Sequence, residues 1–442
     1  MQPQQAGMAG NAVLVVVGDI GRSPRMCYHA HSLANNNYFV ELVGYMDSLP
    51  DEVIYKHPNI RFVSLRSVPK FIESSKLFSK HLQMLLKCLW IYIVLLFALL
   101  FRIQCPTFIM MQNPPGVPTM FVCWLAAKLY RARLIIDWHN YTMVSMVQKF
   151  EGFFGQHADL NICVTASMRH NLQQQLGCSA VTVYDKPPSW KFKRLDDEQR
   201  HKLYLQFSKS SGLLSLFAAN SCSELEQEST LFSYRDLKGV VHLRSDRPLL
   251  LISSTSWTED EDFRYLWDAL VDYDDNSSGH LPPIFCVVTG NGPKKAEYLE
   301  IIKKLNLSNV TIITPWLEAE DYPRLLGSAD VGISLHTSTS GLDLPMKALD
   351  MLGSGLPVVA KRFSAINELI KVGENGDLFD NSTELCRILK DLAFGFPSNS
   401  EVTVDRKLDT LSTNVRKNCT ESWESNWNAK FLPHVQDLTR LS

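Results

Sequence analysis

Residues 12–25 read AVLVVVGDIGRSPR. Ala12–Val17 is a continuous apolar run that stops at Gly18. A short run without alternation is the pattern of a strand buried on both faces, as in a parallel sheet. Gly18–Arg25 then makes a Gly/Ser/Pro turn, with Ser23 as helix cap and Pro24 at the first helical position. The same strand, turn and helix recur. Tyr38–Tyr45 and Ile60–Leu65 read as the next strands, followed by Thr107–Met111, Leu134–Asp137 and Leu160–Val164. Repetition of this unit predicts an α/β lobe, a parallel sheet with helices on both faces. Ligands of such sheets bind beyond the C-terminal ends of the strands. The residues expected there are Gly18–Arg25, Gln112–Gly116, Asp137–Tyr141 and Thr165–Met168.

The rhythm breaks over Ser189–Arg247, which carries Ser208-Lys-Ser-Ser-Gly212, Ser221-Cys-Ser223 and a charged stretch, Glu224–Glu228. One helix plus a mobile interdomain insertion, without catalytic content, is expected there. Strands resume at Pro248–Ser253, Pro283–Thr289, Val310–Ile313, Asp330–Leu335, Leu356–Ala360 and Gly376–Phe379. A chain of 442 residues exceeds one hydrophobic core. The expected architecture is therefore two Rossmann-like, doubly wound lobes facing a cleft. Their bounds are 1–188 and 248–405, with a linker at 189–247. A helical tail, 406–442, is expected to break near Pro433 and pack back on the first lobe.

Net charge is −2, so there is no overall basic field for nucleic acid. The ten cysteines are scattered without C-x-x-C spacing, which suggests buried reduced thiols and a cytosol-facing protein. No secretory leader is expected, since Ala12–Val17 is too short for an apolar leader core. Leu82–Phe101 holds one charge, Lys87, and is flanked by Lys76, Lys80 and Arg102. As a helix it would be roughly 30 Å long, about the thickness of a bilayer core. A spanning helix would separate strands of one sheet, so a helix lying in or dipping into one leaflet is expected. A wholly buried core helix is the alternative.

Several residues carry candidate chemistry. Ser338–Pro345 is a small-residue loop running into a helix, where free N–H groups favour a diphosphate. Ser340, Gly341 and Leu342 belong to that loop. Lys347 would add a charge and Asp350 would accept from ribose hydroxyls; a helix with Asp343 as first-turn acid is the alternative. Gly290 and Gly292 read as a donor-side turn or as plain turn glycines. Ser256, Trp257, Thr314 and Trp316 follow strand ends, and the tryptophans are expected either to stack on a base or to fill the core. In the first lobe Asp19, Asp137 and His139 are candidate general bases, with Asp19 ranked first. Turn capping by Asp19, a structural Asp137 and a satisfied histidine are the alternatives. Arg22, Arg25, Asn113 and Asn140 are assigned to the acceptor side. No metal site is expected, because no D-x-D stands near a strand end of the first lobe. The leaving diphosphate would be stabilised by N–H groups, a helix terminus and cations. No cofactor is required.

Seven stretches taken together resemble the chitobiosyldiphosphodolichol β-mannosyltransferase family, over nearly the whole chain and in the same order. They are Gly18–Met26, Gln112–Gly116, Asp137–Tyr141, Val183–Pro187, Ser253–Thr258, Thr314–Tyr322 and Ser340–Lys347. The resemblance implies the two-lobed GT-B fold and the first mannose transfer of N-glycan precursor assembly. It implies GDP-mannose as donor and dolichol-diphosphate-linked GlcNAc2 as acceptor. The product would be β1,4-linked, formed with inversion on the cytosolic face of the endoplasmic reticulum membrane. Other mannosyltransferases of the pathway are implied partners. Two departures stand out: an N-terminal anchor helix is not expected here, and the stretch between Tyr141 and Phe153 is shorter than the family's. A GT-B-like scaffold subunit of the same assembly machinery is the competing reading.

Overall fold

The computed structural model describes residues 8–73, 79–141, 144–219, 221, 223–275, 281–338, 340–397, 406–418 and 421–440. The chain divides into two units, Met1–Asp185 with Trp423–Ser442, and Lys186–Ser422.

The apolar runs become the strands of the first unit. They are β1 (Gly10–Asp19), β2 (Tyr38–Tyr45), β3 (Ile60–Ser64), β4 (Phe108–Asn113), β5 (Arg133–Trp138), β6 (Leu160–Cys163) and β7 (Val181–Thr182). The sheet order is β3-β2-β1-β4-β5-β6-β7, with every pair parallel. Ala12–Val16 lies at its centre, essentially without solvent contact. The order reverses between β1 and β4, the place where a doubly wound sheet opens a ligand crevice.

Residues 189–247 depart from expectation. They belong to the second unit and are not an interdomain linker. Asp197–Ser208 is a helix opened by a capping box between Asp196 and Gln199. β8 (Glu226–Ser229), β9 (Ser233–Asp236) and β10 (Val241–Leu243) form a small antiparallel sheet. Tyr204, Phe207, Phe217 and Phe232 pack with Leu250, Ile252 and Phe285 of the main sheet into one core. Widely spaced aromatics bury this segment, while its serines and charges dominate the composition and disguise it.

The second unit's main strands are β11 (Leu249–Thr255), β12 (Ile284–Gly290), β13 (Val310–Ile313), β14 (Val331–Ser334), β15 (Val358–Lys361) and β16 (Gly376–Phe379). Their order, β13-β12-β11-β14-β15-β16, is again parallel and again reverses between the first strand and the fourth. The C-terminal tail is shared between the units. Lys407–Asn418 packs in the second, while helices Trp423–Lys430 and Leu432–Arg440 join the first. Pro433 sits in the first turn of the last helix, where its missing N–H costs nothing, and the break precedes it at Phe431.

The apolar segment forms one helix, Lys80–Phe101, and among the described residues it is the one helix long and apolar enough to cross a membrane. Only Leu95, Ala98 and Leu99 are buried. Leu85, Leu89, Ile93, Phe97 and Phe101 are exposed, so this is not a core helix. On its other side Tyr92 stacks on Phe121 of helix Thr119–Tyr130 at 6.1 Å.

Candidate active site

The first unit's C-terminal strand edge is organised around one carboxylate. Asp137, near the end of β5, is completely buried. Arg25, in the first turn of the helix Pro24–Asn35 that follows β1, donates to both its oxygens, from Nε at 2.9 Å and Nη2 at 3.1 Å. Arg25 Nη1 reaches Asp185 at 2.7 Å and the Val183 carbonyl at 2.9 Å. His29 Nε2 approaches Asp137 at 3.4 Å, and His139 Nε2 lies 2.8 Å from the same oxygen. Burial alone would raise the Asp137 pKa, but Arg25 and the two histidines hold it well below the usual carboxylate range. His29 accepts from Trp427 Nε1 on Nδ1 at 2.8 Å, which leaves its proton on Nε2, toward Asp137.

His139 differs from its neighbours because its ring reaches solvent. With Nε2 held on Asp137, Nδ1 is its second nitrogen. The pair thus has the arrangement of a base oriented by a buried carboxylate. Asp19 is differently engaged. It accepts from the backbone N–H of Ser48 at 3.0 Å and from the Ser48 hydroxyl, and Arg22 lies 3.5 Å away. Burial raises its pKa, but hydrogen bonds from Ser48, Gly21 and Asp47 outweigh that and lower it, making it a poor proton acceptor.

In the second unit the loops after β11 and β14 meet across the sheet's reversal point. The Thr337 N–H donates to the Asp260 carbonyl at 3.0 Å, His336 Nδ1 lies 2.8 Å from the Asp260 carboxylate, and Glu261 and His336 form a β-bridge. Glu261 is buried. It accepts from the Thr255 hydroxyl, from the Ser256 N–H at 2.9 Å and from Lys347 Nζ at 2.7 Å. Lys347 Nζ also lies 3.3 Å from Ser256 Oγ. Asp343 accepts from the hydroxyls of Ser338 and Ser340 and so shapes the loop rather than capping a helix. Helix Met346–Gly353 starts behind Pro345 with no side-chain cap, leaving its first N–H groups for an anion. Asp350, one turn on, faces the hydroxyl of the half-buried Tyr322 at 3.5 Å, which in turn meets Ser254 at 3.1 Å.

Several expected site residues sit elsewhere than their motifs suggested. Arg25 is buried in its ion pairs and is not an acceptor-side contact. Asn113 is likewise buried, donating to the Asn140 carbonyl at 3.1 Å and to Glu151 at 3.2 Å, so it positions the loop that carries His139. Asp137 has no solvent access for a general base. Trp257 has a φ of 49° and a wholly buried ring against Phe263 and Tyr298, so it stacks on no base. Gly290 and Gly292 serve close packing: a Cβ on either would fall within 2 Å of the Thr255 or Ser256 carbonyl oxygen. Thr314 is buried, while Trp316 is 64% exposed in the turn after β13. Arg22, Asn140, Ser256, Ser340, Gly341, Leu342, Lys347 and Asp350 keep partial or full exposure on the two strand edges. Sequence reading missed Glu261 and His29, and it held Tyr322 and Asp185 only as members of the resembling stretches, without a role. Glu261 was one of four acids in a row of five residues, with nothing to single it out. No cluster of metal-ligating side chains occurs among the described residues.

Similar proteins agree with this geometry. Residues 247–393 match the family model "Glycosyl transferases group 1". Sucrose-phosphate synthase from Thermosynechococcus elongatus superimposes with a TM-score of 0.65 over 98% of both chains, at 12% identity. Anabaena Alr3699/HepE, solved in complex with UDP, gives 0.62 over 96% of this chain and 100% of that chain, at 15% identity. Two parallel Rossmann-like sheets with this likeness make up the GT-B fold. The chain is 40% identical over 446 residues to the Homo sapiens chitobiosyldiphosphodolichol beta-mannosyltransferase, covering 97% of this chain and 93% of that one. It is 38% identical to the UDP-glycosyltransferase TURAN of Arabidopsis thaliana, over 95% of this chain and 96% of that one. The chain belongs to the chitobiosyldiphosphodolichol β-mannosyltransferase family.

The buried network makes the first unit acid-sensitive. Burial pushes the His29 pKa down to about 4, from 6.5. The unfolded chain takes up this proton as pH falls below 6.5 and the folded chain does not, so stability drops between pH 6.5 and 4. His31, His57 and His201 are also lowered, so the comparison must be made with a variant. His29→Gln keeps an acceptor for Trp427 and a neutral N–H group near Asp137. Its urea midpoint is expected to fall less than wild type's between pH 7 and pH 5; equal falls would contradict the assignment.

Proposed function

We propose that the protein transfers mannose from GDP-mannose to GlcNAc2-diphosphodolichol, with inversion, at the cytosolic face of the endoplasmic reticulum membrane. The near-full-length kinship with proteins named for this mannosyl transfer carries the reading. The acceptor hydroxyl forms the new bond to the anomeric carbon of mannose, and the bond from that carbon to the GDP oxygen breaks. The acceptor proton goes to a base and the electron pair leaves with GDP. An α-linked donor then gives a β-linked product.

His139 is the base in this proposal. Supporting it are the exposure of its ring and the buried Asp137 that fixes its orientation and would stabilise the imidazolium formed. The leaving diphosphate falls to the uncapped start of helix Met346–Gly353 and to Lys347, the latter poised by Glu261. No step requires a metal or other cofactor.

Turnover at saturating donor tests the base. His139→Gln should lose roughly 10²–10⁴-fold with GDP affinity kept, while Asp19→Asn should lose far less. Near-normal turnover of His139→Gln would remove it from the mechanism.

The donor is tested by titration. GDP should bind more tightly than UDP, and Lys347→Gln should weaken GDP by about tenfold, the loss of one charge-assisted hydrogen bond. A preference for UDP would favour the donor named for the Arabidopsis relative and exclude GDP-mannose.

Membrane attachment rests on the exposed face of Lys80–Phe101. Leu85, Leu89, Ile93 and Phe97 each replaced by Ser should release most of the protein from vesicles without unfolding it, because all four are exposed. Leu95 is buried and its replacement would test the fold instead. An unchanged vesicle-bound fraction would contradict peripheral binding through this helix.

A further inference from the structure

Arginines surround a cavity in the second unit, well away from the donor edge. Arg247 and Asp330 precede β11 and β14, so they mark the N-terminal ends of these strands, opposite the loops that carry Glu261 and Lys347. There, a cavity of about 330 Å³ is lined by Arg194, Arg200, Arg247, Asp330, Asp409 and Arg416, among others. It lies wholly within the second unit.

The donors of this cavity are incompletely used. Arg247 forks onto Asp330 at 2.7 and 3.0 Å, its guanidinium 4.5 Å from the centre of the Phe396 ring. Arg194 donates to the Ala329 carbonyl. Among the described residues Arg200 Nη1 pairs with the exposed Asp197, at 3.6 Å. The Nε groups of Arg194, Arg200 and Arg247 are buried and have no hydrogen-bond partner among the described residues. Arg200 and Arg247 are themselves more than nine-tenths buried. A buried guanidinium N–H without an acceptor is unfavourable, and several like charges around one cavity repel.

The charge balance points to the ligand. Four arginines face two aspartates in the lining, and the outer partners cancel, Asp197 at 3.6 Å from Arg200 and Arg406 at 3.7 Å from Asp409. The excess of about two positive charges matches a phosphate dianion, whose oxygens suit the planar guanidinium fork. We propose that this cavity is a binding site for a phosphate-bearing anion, separate from the donor site. The proposal does not depend on the identity of the donor or the acceptor. The phosphate group has two sources, a soluble phosphate or the headgroup of an anionic lipid.

The test uses the full chain and inorganic phosphate, with chloride at equal ionic strength as control and GDP present to occupy the donor edge. Phosphate should raise the melting temperature of the wild type. Arg200→Gln and the exposed Arg416→Gln should each weaken phosphate by about tenfold, with GDP affinity unchanged. Arg416→Gln keeps the test open if the buried variant does not fold. Vesicles of phosphatidylcholine with and without phosphatidic acid separate the sources. Extra retention by phosphatidic acid that Arg416→Gln abolishes assigns the site to a lipid headgroup; no extra retention assigns it to soluble phosphate. A wild type that phosphate does not stabilise beyond chloride, or equal stabilisation of both variants, overturns the proposal.

Discussion

The first unit depends on a carboxylate with no access to water. Asp137 binds Arg25 and His139, with His29 Nε2 3.4 Å away, and Arg25 passes the connection to Asp185. One network thus joins the helix after β1, the ends of β5 and the chain beyond β7. Through His29 and Trp427 it also holds the C-terminal helices. Burying these charges is costly, and removing one partner would leave another uncompensated, a loss of about 3–5 kcal/mol. The network's value is in fixing positions: Asp137 decides which nitrogen of His139 carries the proton, and Asn113 holds the backbone just beyond it.

The second unit repeats this device with different residues. Glu261 is the buried carboxylate, and Lys347 is the cation that reaches it from the helix after β14. Backbone and hydroxyl donors from Thr255 and Ser256 complete its shell. In each unit a buried acid stitches the loop after one strand to an element after another, and a polar group with some solvent access stands on it. His139 is that group in the first unit and Lys347 in the second, the base and the diphosphate contact of the proposed transfer.

Much of the fold was legible because buried parallel strands announce themselves as unbroken apolar runs. Tyr38–Tyr45, Val310–Ile313 and Gly376–Phe379 form as read. The 189–247 segment was not legible, because Phe217 and Phe232 bury it at intervals too wide to make a periodic pattern. Sites were harder for a related reason. Arg25 stands in a polar turn that looks built for a ligand, yet its partners lie 112 and 160 residues along the chain. Trp257 follows a strand end, but a left-handed backbone turns its ring into the core. Local sequence locates the strand edges; long-range pairing decides which side chains on those edges are free to meet a substrate.

The central claim is an inverting mannosyl transfer carried out by this chain. The most direct measurement is the product formed from GDP-mannose and a GlcNAc2-diphosphate lipid, with its anomeric configuration read by NMR. The account predicts a single mannose in β1,4 linkage and stoichiometric release of GDP. An α-linked product, or GDP-mannose bound without any transfer, would contradict it, and the second result would return the protein to the scaffold reading.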